Sequence, residues 1–576
     1  MTAHAETSIV APELLAELAA RAGRPDFPRL EAQLRSSGYC ARPVRLQGHV
    51  EVCEGGRRRR VWSTDTEPDQ ILRKACGNRR EAVCPPCAER YRGDAYQLLA
   101  AGLRGGKGVP ETVAEHPAVF VTFTAPSFGL VHTRPLGPGG EPRRCRPRRD
   151  APVCEHGVRL SCGAVHDEDD PRLGEPICLD CYDHAGAVIW NNALGELWRR
   201  TVPVYLPRTL AAMTAMTQAR LRGLVRVSYV KVTEYQRRGL VHLHAVIRLD
   251  RAMPKYRADE VRPPDTRFTT ELLEDAIRET VDAVSAPLPD ELGGGRVRWG
   301  NEFDVRALVD GSTRSEVAGY LAKYATKSTE QAGGLLHPID REQADTAPVR
   351  EHVREYLRAA FRLNDACQAA ATQRAAADAS RRSSVPPGAE TARDGNLLAR
   401  RAAQAMSRGE RVRLRMRRGA EHVGRIVRWS PTRTPAELGL DTGRVLPIAE
   451  VKVIATARRA RRDRHDRRLA KCVHAFGYRG HCLTKSRRYS TTFKALREAR
   501  ERHVHEQLLA RSHHAAQRTL AELDPGERIA SFRYVGRGHV TAADALLAAS
   551  AAARAREGRA AARLERATAI ETGGRA

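Results

Sequence analysis

Residues 227–249 constrain this chain most, because they alternate like two strands and the segment between them ends in glycine. In Leu240-Val-His-Leu-His-Ala-Val-Ile-Arg-Leu249, Val241, Leu243, Ala245, Ile247 and Leu249 are apolar two apart. That is the period of a strand with one buried face, and it sets His242 and His244 side by side on the other. Val227-Ser-Tyr-Val-Lys-Val-Thr-Glu-Tyr-Gln236 reads as the partner strand. Arg237-Arg238-Gly239 then forms a three-residue loop with glycine where a left-handed residue is wanted. With that loop, Gln236 faces Leu240 and Glu234 faces His242, and opposed residues share a face. A fourth loop residue would turn Glu234 away. Two imidazoles and a carboxylate suit Mg2+ or Mn2+ with positions open for a phosphate.

A second His-x-His pattern, His503-Val-His505, lies in a segment that reads as a charged helix. Helical residues two apart point in nearly opposite directions and cannot share an ion. That pair reads as solvated surface.

About 75 residues after the first pattern comes Tyr320-Leu-Ala-Lys-Tyr-Ala-Thr-Lys327. It reads as a helix starting near Ser315-Glu316, with Tyr320, Lys323, Tyr324 and Lys327 on one stripe. A core stripe rarely alternates tyrosine with lysine. A phenol with a pKa near ~10 is a poor nucleophile at neutral pH. A lysine one turn away can stabilise the phenolate or a phosphate oxygen, and a metal ion can polarise the phosphate. The pattern suits attack on a phosphodiester, with Tyr324, in the tighter Lys-Tyr-x-x-Lys context, as first nucleophile.

The strand pair with His-Leu-His and the Tyr-x-x-Lys-Tyr-x-x-Lys helix resemble the HUH superfamily of rolling-circle replication initiators. The two tyrosines are similar to the phage gene A type. Val119-Phe-Val-Thr-Phe-Thr-Ala-Pro-Ser-Phe128 resembles that superfamily's first motif, and the order of motifs agrees. A narrower resemblance, to initiators of actinobacterial plasmids and integrative conjugative elements, rests on three segments. They are Cys76-Gly-Asn-Arg-Arg-Glu-Ala-Val-Cys-Pro-Pro-Cys87, Pro176-Ile-Cys-Leu-Asp-Cys-Tyr182 and Gly480-His-Cys-Leu-Thr-Lys-Ser-Arg-Arg-Tyr-Ser490. It covers about 38–330 and 470–555, and none is seen for about 385–465. The resemblance implies an α+β HUH core, an antiparallel sheet with flanking helices. It also implies origin-specific nicking that leaves a 5′-phosphotyrosine link and a 3′-OH primer.

Charge agrees. Lys plus Arg number 97 against 69 Asp plus Glu, a net +28, which favours a polyanionic partner such as origin DNA. A GC-rich genome also enriches arginine, so charge supports the reading without carrying it. No apolar run approaches the ~20 residues of a membrane span, and no signal peptide is seen. The expected location is the cytoplasm, without membrane partners. Thirteen cysteines there argue for metal instead of disulfides.

Cys84-Pro-Pro-Cys87 is a knuckle with Cys76 eight residues before it. A closed tetrahedral Zn2+ site needs a fourth ligand. Cys40 and Cys53 are both candidates, and the family resemblance favours Cys40. Cys154, Cys162, Cys178 and Cys181 form a second group, with Cys145, His156, His166 and His184 near enough to replace a member. The expected content is about two structural zinc ions, since closed sites leave no position for chemistry and polar loops bury too little apolar surface to fold unaided.

The expected organisation is an N-terminal helical segment (1–37), a zinc-binding segment (38–115) and a nicking domain (116–335) with a zinc-binding insertion at about 131–190. A helical linker region (336–400), a basic insertion (401–465) and a mostly helical basic C-terminal region (466–576) follow. Within these, Glu410–Arg417 alternates as an edge strand does, Ala460–Arg468 is a charge run, and 541–571 reads as an Ala/Arg helix. Lys485, Arg487 and Arg488 suit phosphate contacts. No segment reads as a helix-turn-helix. Host helicase and polymerase are the expected further partners. The competing readings are an HUH transposase or relaxase, and a non-catalytic zinc-stabilised DNA-binding regulator.

Overall fold

The alternating segment folds as two antiparallel eleven-residue strands, Val225–Tyr235 and Val241–Arg251, and the core is built on them. The computed structural model describes residues 11–54, 57–327, 329–383, 413–418, 421–424, 450–452, 469–511 and 528–573.

In chain order the N-terminal part holds α1 (Pro12–Ala22), α2 (Phe27–Ser36), β1 (Val44–Glu54), β2 (Arg57–Ser63), β3 (Leu72–Lys74) and α3 (Pro85–Arg104). Then come β4 (Ala118–Phe123), β5 (Arg144–Arg146), β6 (Cys162–Val165), α4 (His184–Arg200), α5 (Leu206–Met213) and α6 (Gln218–Leu224). The central hairpin is β7 (Val225–Tyr235) and β8 (Val241–Arg251), followed by α7 (Thr270–Ala283), β9 (Ala286–Pro287), β10 (Arg296–Val297), β11 (Asp304–Ala307) and α8 (Gly311–Ala325). The remainder is α9 (Arg341–Thr346), α10 (Glu351–Ser383), β12 (Arg413–Arg418), β13 (Glu421–Gly424), β14 (Glu450–Lys452), β15 (Leu483–Lys485), α11 (Phe493–Arg511), β16 (Arg528–Arg537) and α12 (Ala542–Gly573).

The main sheet has five antiparallel strands in the order β11-β4-β8-β7-β15. On the face of Leu243, Ala245 and Ile247, α4 packs Trp190, Leu194 and Trp198, with α7 and α10 beside it. On the opposite face, α3 and α8 bring Leu99, Leu103, Leu321 and Ala325 against Val230, Val232 and Val246. The result is three layers, helix on sheet on helix. The histidine-bearing face is therefore covered, whereas the alternation predicts a single buried face. Much of it can be covered because Ser228, Arg248 and Asp250 on it satisfy one another. Asp250, fully buried, takes Arg248 at 2.7 Å, Ser228 at 2.5 Å and His116 at 2.8 Å. Together the three partners hold its carboxyl well below the ordinary range against the effect of burial.

Two helix starts are set by capping. Asp183 accepts from Gly186 at the head of α4, and Asp310 accepts from Thr313 at 2.7 Å at the head of α8. The Asp310 cap begins α8 at Gly311, four residues before the start read from sequence.

The C-terminal part carries α11 and α12, and also strands that the helical reading omits. Strand β15 extends the main sheet along β7. Strand β16 pairs with β1 in a second sheet, β16-β1-β2, with β3 also on β1. Asp544 at the head of α12 lies between Arg21 at 2.8 Å and Arg73 at 3.1 Å, all three buried, so the two ends of the chain close on one ion-pair cluster. Strand β12 pairs with β13 and with β14, which makes it the centre of a three-stranded sheet and not an edge. The charge run Ala460–Arg468 lies outside the described residues. Among them, no helix is long and apolar enough to cross a membrane.

Lys231 of β7 is buried beneath α4, its ammonium 5.2 Å from the Trp198 ring. Burial pushes its pKa down from 10.5 to about 8. Below about pH 8 both folded and unfolded states are charged, and the folded state bears the full cost. Between about 8 and 10.5 only the unfolded state keeps the proton, so stability from this group rises with pH. Lys231→Met should therefore stabilise the protein at pH 7 by on the order of 2 kcal/mol, after allowing for the lost ring contact. That gain should shrink as pH approaches 10.5. Thermal unfolding across this range checks it, and a variant less stable than the parent at pH 7 would contradict it.

Candidate active site and metal centres

The β7–β8 turn is the three-residue loop the glycine predicts. Gln236 N–H donates to Leu240 O at 2.8 Å, Gly239 N–H donates to Gln236 O at 2.9 Å, and Gly239 has φ +81°. A Cβ at Gly239 would lie 2.7 Å from the Tyr356 ring, so that position excludes a side chain by space as well as by conformation. The register then sets Glu234 opposite His242 and Val232 opposite His244. One ligand atom from each of Glu234, His242 and His244 lies within 4.8 Å of the others.

His244 is nearly buried. Its Nε2 is 2.6 Å from Glu234 Oε2, and its Nδ1 is 3.1 Å from Thr122 Oγ1 on the neighbouring strand β4. Thr122 thus fixes the ring's orientation, as an outer-layer partner does for a metal ligand. The sequence reading singled out the segment around Thr122 but not this role. His242 Nε2 is buried and has no hydrogen-bond partner. Burial, with His244 and Arg238 adding to it, pushes the His242 pKa down to about 3, so the ring stays neutral, the form that binds metal. A carboxylate beside a neutral, orphaned imidazole fits a divalent cation.

Helix α8 lies over this group. The Tyr320 and Tyr324 rings are 4.8 Å apart and stand 5.2 and 5.5 Å from the His244 ring. Phe120 stacks on His244 and meets Tyr320 edge-on, completing an aromatic wall. Burial raises both phenol pKa values; the neighbouring tyrosine adds to Tyr320, and Glu234 adds to Tyr324. Lys323 and Lys327 place their ammonium groups 5.8 and 5.4 Å from the Tyr324 ring. Lys327 lies just past the helix end, and burial lowers its pKa, with Lys323 adding to the effect.

The end of α8 is held by the cysteine knuckle. Arg79 donates to Ala325 O at 3.2 Å and Lys327 O at 3.0 Å, placing a cation on the carbonyls that a helix C-terminus leaves free. Glu81 N–H reaches Thr326 O at 3.4 Å. Arg79 belongs to the run between Cys76 and Cys84, and the sequence reading gave it no role.

Cys40, Cys76, Cys84 and Cys87 converge there. Their sulfurs lie 3.6 to 3.7 Å apart for Cys40–Cys87, Cys40–Cys84 and Cys76–Cys87. A tetrahedron with Zn–S of about 2.3 Å has edges near 3.8 Å. Backbone N–H groups of Cys76 and Asn78 donate to two of the sulfurs. Cys53 stands on β1, outside this group.

In the insertion the structure divides differently from the sequence reading. Cys154, Cys178 and Cys181 do come together, but their fourth member is His156, whose Nδ1 is 3.3 Å from Cys181 Sγ. Cys162 is elsewhere, in a group with His132, Cys145 and His166. The sequence reading counted Cys145, His156 and His166 as possible replacements and missed His132. The ligands of the two groups interleave along the chain, so spacing alone does not sort them. His184 joins neither group; it meets His352 at 2.9 Å in a buried polar cluster with Tyr182 and Tyr356.

The phosphate candidates part company. Lys485 turns inward and donates to the carbonyls of Ser486, Arg487 and Ser490, tying its own loop. Arg488 is mostly covered and pairs with Asp259, whereas Arg487 is exposed. Both line a groove with Lys107, Arg262 and Thr492.

A layered α/β protein with a carboxylate–histidine group under two tyrosines is the class these features define. The chain matches the family described as "Replication initiator protein, pSAM2" over residues 26–386 and 402–553. It is also 33% identical over 560 residues to a curated replication initiator protein from Streptomyces ambofaciens, covering 95% of this chain and 94% of that one. The chain belongs to this family of replication initiators. No solved structure matches it.

The cysteine geometry makes a direct prediction. Cys40→Ser should lower the zinc content of the purified chain by one ion, and Cys53→Ser should leave it unchanged. Elemental analysis that gives the reverse pattern would place the fourth ligand at Cys53.

Proposed function

We propose that this initiator starts rolling-circle replication of a plasmid or mobile element as an HUH endonuclease, nicking one strand of origin DNA by tyrosine transesterification. The observation that carries this reading is the convergence of Glu234, His242 and His244 with two tyrosines on one helix face.

Glu234, His242 and His244 hold the divalent ion, Mg2+ or Mn2+, with Thr122 orienting His244. Bound there, the ion supplies polarisation of a phosphate oxygen. Tyr324 Oη forms a bond to the scissile phosphorus and gives up its proton. The bond from phosphorus to the 3′ oxygen breaks, and that oxygen takes a proton to become the 3′-OH primer. Lys323 and Lys327 offset charge on the phenolate and the phosphate. The link to Tyr324 conserves a phosphodiester, so a second attack can rejoin the strand. Tyr320, one turn away and 40% exposed, makes that second transfer at the end of a round.

The Cys40/Cys76/Cys84/Cys87 and Cys154/His156/Cys178/Cys181 groups hold structural zinc. Arg487 and Arg488 contact DNA phosphates, while Lys485 supports their loop. A host helicase unwinds the duplex, and a host polymerase extends the freed 3′ end.

Tyr324→Phe removes only a hydroxyl. Supercoiled origin DNA with Mn2+ should then show nicking reduced by about three orders of magnitude or more, with DNA binding retained. Covalent adducts at the parent rate would exclude Tyr324 as first nucleophile. Tyr320→Phe should spare the first nick and yield products longer than one unit; normal unit-length circles would overturn the two-tyrosine scheme.

Glu234→Ala should weaken Mn2+ binding at least about tenfold and reduce nicking, while origin affinity stays near the parent value, because phosphate contacts elsewhere supply it. Unchanged Mn2+ affinity would remove Glu234 from the site.

A further inference from the structure

His132, Cys145, Cys162 and His166 come from four places in the insertion, yet their ligand atoms lie within 4.8 Å of one another. His132 Nδ1 is 3.3 Å from His166 Nε2 and 3.9 Å from Cys145 Sγ, and Cys162 Sγ is 3.6 Å from the same His166 nitrogen. These are the edges of a tetrahedron around a zinc-sized ion, for which bond lengths of about 2.0 to 2.3 Å require separations near 3.3 to 3.8 Å. The surroundings are those of a built site. His166 is fully buried, and its other nitrogen, Nδ1, meets Asp170 Oδ2 at 2.7 Å. That carboxylate–histidine arrangement orients metal-bound imidazoles elsewhere. Thr133 N–H donates to Cys145 Sγ at 3.2 Å. His132 is pinned on both sides by its backbone, its N–H to Glu175 O at 2.8 Å and its carbonyl to Gly174 N at 3.0 Å. Apolar packing does little for this stretch: β5 and β6 are three and four residues long, and the buried apolar side chains of 131–175 are Val131, Cys145 and Leu173.

The loop that this cluster closes rests on the hairpin turn. Arg237 donates to Glu168 O at 2.7 Å and to Asp170 O at 3.3 Å. A Cβ on Gly174 would stand 2.6 Å from the Arg237 backbone, so loop and turn are in close contact. Arg350 completes the brace, pairing with Glu175 and donating to Pro171 O and Arg237 O. Residues 236–239 are the turn that fixes Glu234 opposite His242.

We infer that His132, Cys145, Cys162 and His166 form a separate structural zinc centre, and that it braces the β7–β8 turn through Asp170 and Arg237. The chain then carries three zinc ions in its cysteine-bearing groups instead of two. The zinc claim stands on geometry alone; the consequence for catalysis rests on the proposed nicking reaction.

Zinc content and Co2+ absorption of the full chain test it, with origin nicking as a separate readout. His132→Ala should lose one zinc of three and keep the others, and in the Co2+ form should lose the bands of a two-sulfur, two-nitrogen site. His132→Cys should retain three ions, with a spectrum shifted towards three-sulfur ligation. Arg237→Ala should keep all three ions, yet slow nicking on the order of tenfold, because only the brace is cut. Should His132→Ala fail to fold, the Cys-substituted chain still decides, through its metal count and spectrum. Two zinc ions in the parent, or unchanged zinc in His132→Ala, would overturn the centre. Unaltered nicking by Arg237→Ala beside an active parent would overturn the brace and leave the zinc claim standing. A parent that does not nick at all would overturn the proposed reaction and the brace drawn from it, but not the ion count.

Discussion

The site depends on the register of one hairpin. Gly239 closes a three-residue turn with positive φ, and the Tyr356 ring fills the space where a side chain would stand. A shift of β7 by one residue would turn Glu234 to the α4 side, away from His242, His244 and the tyrosines. It would also take Ser228 out of the buried network with Arg248 and Asp250 and into an apolar layer. The same register therefore satisfies the polar interior and assembles the candidate catalytic group, which gives both a common sensitivity to changes in the turn.

Around that hairpin stand clusters of cysteine and histidine whose ligand atoms converge. The cluster of Cys40, Cys76, Cys84 and Cys87 has its knuckle loop on the end of α8 through Arg79, so it governs where Tyr324 sits. The cluster of His132, Cys145, Cys162 and His166 reaches the other end of the site, at the hairpin turn. On the proposed reading, ions held by these clusters would stiffen polar, glycine-rich connections and so fix a tyrosine against the Glu234–His242–His244 group.

Features governed by local chemistry were legible in the sequence. The alternation and Gly239 gave the hairpin and its facing pairs, and i, i+4 spacing gave the two tyrosines one helical face. The Cys-Pro-Pro-Cys spacing gave three of four knuckle sulfurs. Features set by distant parts of the chain were not. The interleaved ligands of the insertion sort only once the loop has folded, which is why Cys162 was grouped with the wrong partners. The covered histidine face was hidden because Ser228, Arg248 and Asp250 look solvent-facing until they are seen to bind one another. Strand β15 is three residues long, and the partners of both β15 and β16 lie far away in sequence. Spacing could not show either that the Lys485 ammonium donates to carbonyls of the turn that follows it.

The central claim is that a tyrosine of α8 becomes joined to the 5′ end of the nicked strand beside Glu234, His242 and His244. The most direct measurement is to trap the parent protein on origin DNA with Mn2+, digest both components, and locate the nucleotide-bearing residue by tandem mass spectrometry. The account predicts a 5′-nucleotide adduct on the peptide containing Tyr324, formed only when the divalent ion is present. An adduct on a residue outside α8, or cleaved origin DNA with no covalent peptide, would contradict it.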